Sequence, residues 1–118
     1  MEREFKRSIV VFEDHFKEFR KTLPRNDLKK LYQVLEYIML VDIIPLRFLK
    51  SIEGVDGLFE IRIDAGNNSY RIFCCFDEGN LVILFNAYQK KSQKTSAIQI
   101  RKAKVLMERY FEQKAQNK

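Results

Sequence analysis

Residues 57–91, GLFEIRIDAGNNSYRIFCCFDEGNLVILFNAYQKK, decide how the rest of the chain is read. Three runs, Leu58 to Asp64, Tyr70 to Phe76 and Leu81 to Tyr88, are rich in β-branched and aromatic residues. Residues 65–68 (AGNN) and 77–80 (DEGN) separate them with turn-forming residues. This pattern predicts two consecutive β-hairpins, a three-stranded antiparallel meander. Four-residue loops would pair Asp64 with Ser69 and Phe76 with Leu81, setting Arg62 opposite Arg71 and Arg71 opposite Asn86.

Side chains alternate along a strand, so each run has two faces. Phe59, Ile61, Ile63, Tyr70, Ile72, Cys74, Phe76, Leu81, Ile83 and Phe85 are expected on a core face. Arg62, Arg71, Asn86 and Tyr88 share the other, at its polar end, and Phe73, Cys75, Val82 and Leu84 form its apolar end. A covering element is expected over the apolar end, leaving Arg71 exposed at the polar one. Like charges set side by side cost from a few tenths up to about 1 kcal/mol. Glu60, two residues from Arg62, can neutralise one of them. A paired guanidinium of this kind is either solvated surface or an anion site, since its planar fork matches phosphate oxygens.

A chain of 118 residues is expected to form one domain, residues 1–118, with a single core. Its net charge of +6 is unevenly spread. From Tyr88 to Lys118 there are nine basic and two acidic residues, a net of +7, so the preceding 87 residues are close to neutral. Such asymmetry suits a polyanionic partner such as nucleic acid, or else a basic helix that keeps the protein soluble. Adjacent Cys74 and Cys75 point to opposite faces of a strand, which disfavours a disulfide between them and suits a reducing cytoplasm. A single histidine, His15, and no CxxC pair argue against zinc, and no cofactor is expected. No apolar run approaches the roughly 18 residues of a membrane span.

Around the meander, Phe5 to Phe12 suits a first strand, and Glu13 to Leu23 has helical spacing ended by Pro24. A second helix begins near Asn26 or Asp27, either of which can cap it, with Leu28, Leu31, Leu35, Ile38 and Met39 as its apolar stripe. Together these form a helix pair over the core face, and Leu46 to Ile52 enters as an extended or short-strand segment. The terminal helix, capped by Thr95 or Ser96, carries a stripe of Ile100, Ala103, Met107 and Tyr110. Arg101, Lys102, Lys104 and Arg109 occupy its remaining circumference. The fold class is α+β: a mainly antiparallel four-stranded sheet, an N-terminal helix pair on one face and a C-terminal helix.

Residues 57–62 (GLFEIR), 70–73 (YRIF), 90–95 (KKSQKT) and Ala103 together resemble the phage Gp49-like, HigB-type branch of the RelE/ParE toxin superfamily, whose running pattern is roughly GLxELR, YRxxY/F, an apolar strand, KKTxKTP and a helix with alanine. The resemblance covers about half the chain by motif and nearly all of it by element order. It implies a RelE-like fold and the toxin of a bacterial type II toxin–antitoxin pair. Its partners would be a helix-turn-helix, HigA-like antitoxin, the ribosome and mRNA.

Most such relatives cleave mRNA in the ribosomal A site without metal, by helping the ribose 2′-hydroxyl attack the adjacent phosphate. That reaction needs fixed cations aimed at the phosphate oxygens, a proton acceptor and a proton donor. Arg71 is the first choice for phosphate stabilisation and Arg62 the second. Lys90 and Lys91 offer steering or acid–base help, and Tyr88 offers base stacking or a proton. Lys94, Arg101, Lys102 and Lys104 are expected to contact RNA. Unlike the histidine-using members of the branch, this chain offers no imidazole near the site, so proton transfer falls to lysine, tyrosine or arginine. The alternatives are a ParE-like inhibitor of DNA gyrase that cleaves nothing, and an inactive relative that binds only RNA or its antitoxin.

Overall fold

The computed structural model of the protein describes residues 4–92 and 96–117. Its elements run β1 (Ser8–Val11), α1 (His15–Arg20), α2 (Arg25–Leu40), β2 (Leu49–Ser51), β3 (Phe59–Ala65), β4 (Asn68–Asp77), β5 (Leu81–Lys90) and α3 (Ala97–Gln116). The class is α+β, as expected, but the sheet has five strands rather than four, in the order β1-β5-β4-β3-β2. The short run at Leu49–Ser51 completes one edge antiparallel to β3. At the other edge β1 lies parallel to β5, the one parallel pair in a sheet that is otherwise antiparallel.

Both faces are covered. Phe16, Leu31, Val34, Leu35 and Ile38 from the helix pair pack on Ile61, Ile63, Tyr70, Ile72, Cys74, Val82 and Leu84. On the opposite face Ala103 and Leu106 of α3 pack on Phe73, Cys75, Ile83 and Phe85, with Ile100, Met107 and Tyr110 at the margin. The element covering the apolar end of the arginine face is therefore α3.

The register of β3 with β4 is the expected one: Asp64 faces Ser69 and Arg62 faces Arg71. The ladder continues to Ala65 and Asn68, leaving a two-residue turn in which Gly66 takes a positive φ of 62°. That shortening does not alter the pairing.

The second hairpin differs. Asp77 faces Leu81, so three residues rather than four form the loop, and Gly79 supplies a positive φ of 69°. A one-residue change of register reverses every side chain. Val82 and Leu84 consequently face the helix pair, and Ile83 and Phe85 face α3, the reverse of the expectation. An irregularity opposite residues 72–74 then inserts one further residue into β5, the signature of a β-bulge. It restores the original alternation, so Tyr88 lies on the arginine face, but Arg71 is opposite Tyr88 and not Asn86.

Helix α1 is shorter than its apolar spacing suggested, and Pro24 occupies the position just before α2 rather than closing α1. Asp27 does not cap α2. Its carboxylate is buried against the sheet, where it accepts hydrogen bonds from the Tyr70 hydroxyl and from Asn68 Nδ2. The far end of α2 is closed from outside: Arg7 donates through Nη1 to the carbonyls of Ile38 and Val41 and through Nη2 to that of Asp42. A guanidinium thus satisfies carbonyls that the helix itself leaves without partners.

Two outcomes follow for stability. Leu31 is fully buried, and Leu31→Ala is expected to cost about 2–5 kcal/mol in urea unfolding. The Tyr70 hydroxyl, followed by Asn68, holds the Asp27 carboxyl below its ordinary value of 3.8. A depressed carboxyl stabilises the fold above its unfolded-state value, and that contribution is lost as pH falls through the folded-state one. The urea midpoint of the native chain should therefore fall on acidification below about pH 4. Asp27→Asn should make that acid limb shallower.

Candidate functional site

At the end of the sheet where β3, β4 and β5 run beyond α3, an open cleft of about 720 Å³ is lined by Arg62, Arg71, Lys90 and Lys91. Ser69, Asn67, Gln89 and Ser92 complete its walls. Four cations and no carboxylate are among these residues, so the cleft is built for an anion. Antiparallel pairing puts it together: Arg62 opposes Arg71 across β3 and β4, and Ser69 opposes Lys90 across β4 and β5. Strand alternation from Arg71 would have found Ser69; Asn67 and Ser92 lie in connections and carried no periodic signal.

Arg71 is not exposed as the sequence suggested. It is 5% exposed, and Glu60, on the same face of β3, is 4% exposed. Burial here follows from neighbours that sequence separation hides. Tyr88, directly across from Arg71, stacks its ring on Phe73, with centroids 5.9 Å apart and planes at 16°. The Tyr88 hydroxyl accepts a hydrogen bond from the Ser96 amide just before α3, which ties the helix start to this wall. Ser96 is the N-cap, its hydroxyl accepting from the Gln99 amide.

The buried arginine is only partly satisfied. Its Nη1 donates to the Tyr70 carbonyl at 3.0 Å. Its Nε stands 3.9 Å from Glu60 Oε2, an ion-pair distance too long for a hydrogen bond. Arg71 Nε, Glu60 Oε2 and Arg62 Nε are all buried without hydrogen-bond partners among the described residues. Buried polar groups are nearly always bonded, so three unpartnered atoms gathered at one cleft call for an explanation.

The other expected site residues divide. Lys90 and Lys91 line the cleft, while Tyr88 forms part of the packed wall and does not line it. Asn86, on the same face, is buried and donates to the carbonyl and side-chain oxygen of Gln99. Arg101, Lys102 and Lys104 are exposed on α3 outside the cleft. Lys102 instead borders a separate depression with Glu13, His15 and Glu18. Arg109 is paired with Glu13 at 2.8 Å. Lys94 lies outside the described residues. Among the described residues no group of three or more His, Cys, Asp or Glu could hold a metal ion, and no helix is long and apolar enough to cross a membrane.

A mainly antiparallel sheet between a helix pair and a C-terminal helix, with a cationic cleft at its open end, has the layout of a RelE-like toxin domain. A model of the family described as Phage derived protein Gp49-like (DUF891) matches residues 17–108, and the chain belongs to that family, one of RelE/HigB-type toxins. Membership of a toxin–antitoxin family implies an antitoxin partner. A comparison with curated proteins found no match.

The burial of the Arg71 and Glu60 pair sets a stability difference between the two arginines. Arg71→Ala strands a buried carboxylate and should cost about 3–5 kcal/mol, whereas Arg62→Ala, at a half-exposed position, should cost no more than about 1 kcal/mol. Urea unfolding of the two variants checks this, and equal losses would mean that Glu60 is not the partner of Arg71.

Proposed function

We propose that this protein is the toxin of a bacterial type II toxin–antitoxin pair and acts as a ribosome-dependent mRNA endoribonuclease. The observation that carries the reading is the convergence of Arg62, Arg71, Lys90 and Lys91 on one cleft without an acidic residue in its walls. A phosphodiester in that cleft meets two guanidiniums held on adjacent strands.

In the reaction the ribose 2′-oxygen bonds to phosphorus and the bond to the 5′-oxygen of the next nucleotide breaks. One product ends in a 2′,3′-cyclic phosphate and the other in a 5′-hydroxyl. Negative charge builds on the non-bridging oxygens at the five-coordinate stage, where Arg71 and Arg62 stabilise it. The 2′-hydroxyl loses a proton and the leaving 5′-oxygen gains one. Lys90 and Lys91 are the cleft residues able to carry or deliver that proton. Lys94, Arg101, Lys102 and Lys104 extend the positive field toward the flanking RNA, a contribution that salt screens. The setting is the bacterial cytoplasm, and the partner that silences the toxin is a HigA-like, helix-turn-helix antitoxin.

Purified protein incubated with ribosomes and a defined message should produce new 5′ ends within the reading frame. Arg62→Ala should slow cleavage about a hundredfold or more, the loss typical of removing one fixed charge stabiliser, without unfolding the protein. An intact message together with a stalled gyrase reaction would replace this reading with a ParE-like one.

A further inference from the structure

We propose that Glu60 is a positioning residue of the cleft, one that aims the Arg71 guanidinium at a bound phosphate rather than neutralising it. This rests on the reading of the cleft as a phosphodiester site. Glu60 precedes Arg62 by two residues on β3, so both side chains lie on the α3 face of the sheet, and Arg71 on β4 is the cross-strand partner of Arg62. Glu60 does not line the cleft, whereas both arginines do.

A carboxylate placed there to cancel charge would close on the guanidinium with two hydrogen bonds, the usual geometry of an arginine–carboxylate pair. Glu60 does not. Its Oε2 stays 3.9 Å from Arg71 Nε, and neither atom has a hydrogen-bond partner among the described residues. Meanwhile the Tyr70 carbonyl takes Nη1. The guanidinium is thus held on one side by a carbonyl and drawn from another by a carboxylate whose Oε2 accepts no hydrogen bond among the described residues. Glu60 is closely surrounded, with Ile61 and Phe73 fully buried beside it. A buried, unspent pair costs stability, and the return is an arginine whose orientation is set before the anion arrives.

The two roles predict opposite signs for one substitution. Glu60→Gln keeps the shape and removes the negative charge. If Glu60 only balanced charge, the cleft would become more positive and bind anions more tightly. If it positions Arg71, binding weakens although the charge has risen.

The experiment titrates inorganic phosphate into ¹⁵N-labelled protein and follows the Nε–H resonances of Arg71 and Arg62. We expect the Arg71 resonance of the native chain to move on titration. In Glu60→Gln the apparent Kd should rise about fivefold or more, with the free-state Arg71 resonance broadened or displaced. Glu60→Asp, which keeps the charge but withdraws it by one methylene, should weaken binding in the same direction. Tighter or unchanged binding in Glu60→Gln overturns the proposal. If Glu60→Gln does not fold, native-like affinity in Glu60→Asp overturns it, as does failure of both variants to fold, since Glu60 is then a structural brace. A native protein that binds phosphate at Arg71 but leaves message intact on ribosomes would defeat the nuclease reading while leaving the role of Glu60 standing.

Discussion

Strand β4 is enclosed on both faces from Tyr70 to Cys75, and the rest of the structure answers to that constraint. A strand with no solvent side needs a layer on each face, which is why an antiparallel sheet of modest size carries helices both above and below. It also means that a charge on this strand cannot simply turn to water. Arg71 sits next to one end of the enclosed segment, and its surroundings must either satisfy it or leave it available. They do some of each: a carbonyl bond, a carboxylate held short of contact, and one open side on the cleft.

The two ends of the sheet are consequently different in kind. Where α3 lies across the strands, Phe73, Cys75, Ile83 and Phe85 form a sealed apolar layer. Beyond its first turn the covering stops, and the same strands present cations to the outside. Ser96 fixes that frontier by capping the helix and donating its amide to Tyr88, whose ring leans on Phe73. One residue on β5 therefore joins the dry region to the wet one. This division of labour along a single set of strands places Arg62, Arg71 and Lys90 on paired strands, which suits a site that must present charge in a fixed direction.

The element order, the two-helix layer and the Arg62–Arg71 pairing were legible in the sequence, because alternation and turn residues are local properties. The pairing does not depend on the loop length, since a two-residue turn and a four-residue loop about the same centre give identical partners. The second hairpin was not recovered. A three-residue loop followed by an inserted residue reverses the faces and then restores them, and nothing in the run LVILFNAY distinguishes that path from a plain ladder. Residues whose roles depend on distant contacts were misread for the same reason. Asp27 has the right chemistry for a cap, yet its partner Tyr70 is more than 40 positions away. Arg71 looked exposed because alternation assigns a side chain to a face but does not say how closely that face is covered. Glu60 could be seen near Arg62, but not that it stands beside Arg71 without bonding to it.

Cys74 and Cys75 are both free and both sealed inside, one beneath the helix pair and the other beneath α3. Burial drives both thiols well above their ordinary value of 9.0, that of Cys75 to about 12, so neither is a competent nucleophile while the layers stay closed. Each sulfur therefore keeps watch over a different layer. Alkylation at Cys74 records parting of the helix pair from the sheet, and alkylation at Cys75 records lifting of α3. The chain carries, in two adjacent residues, a built-in record of which side of the sandwich opens first.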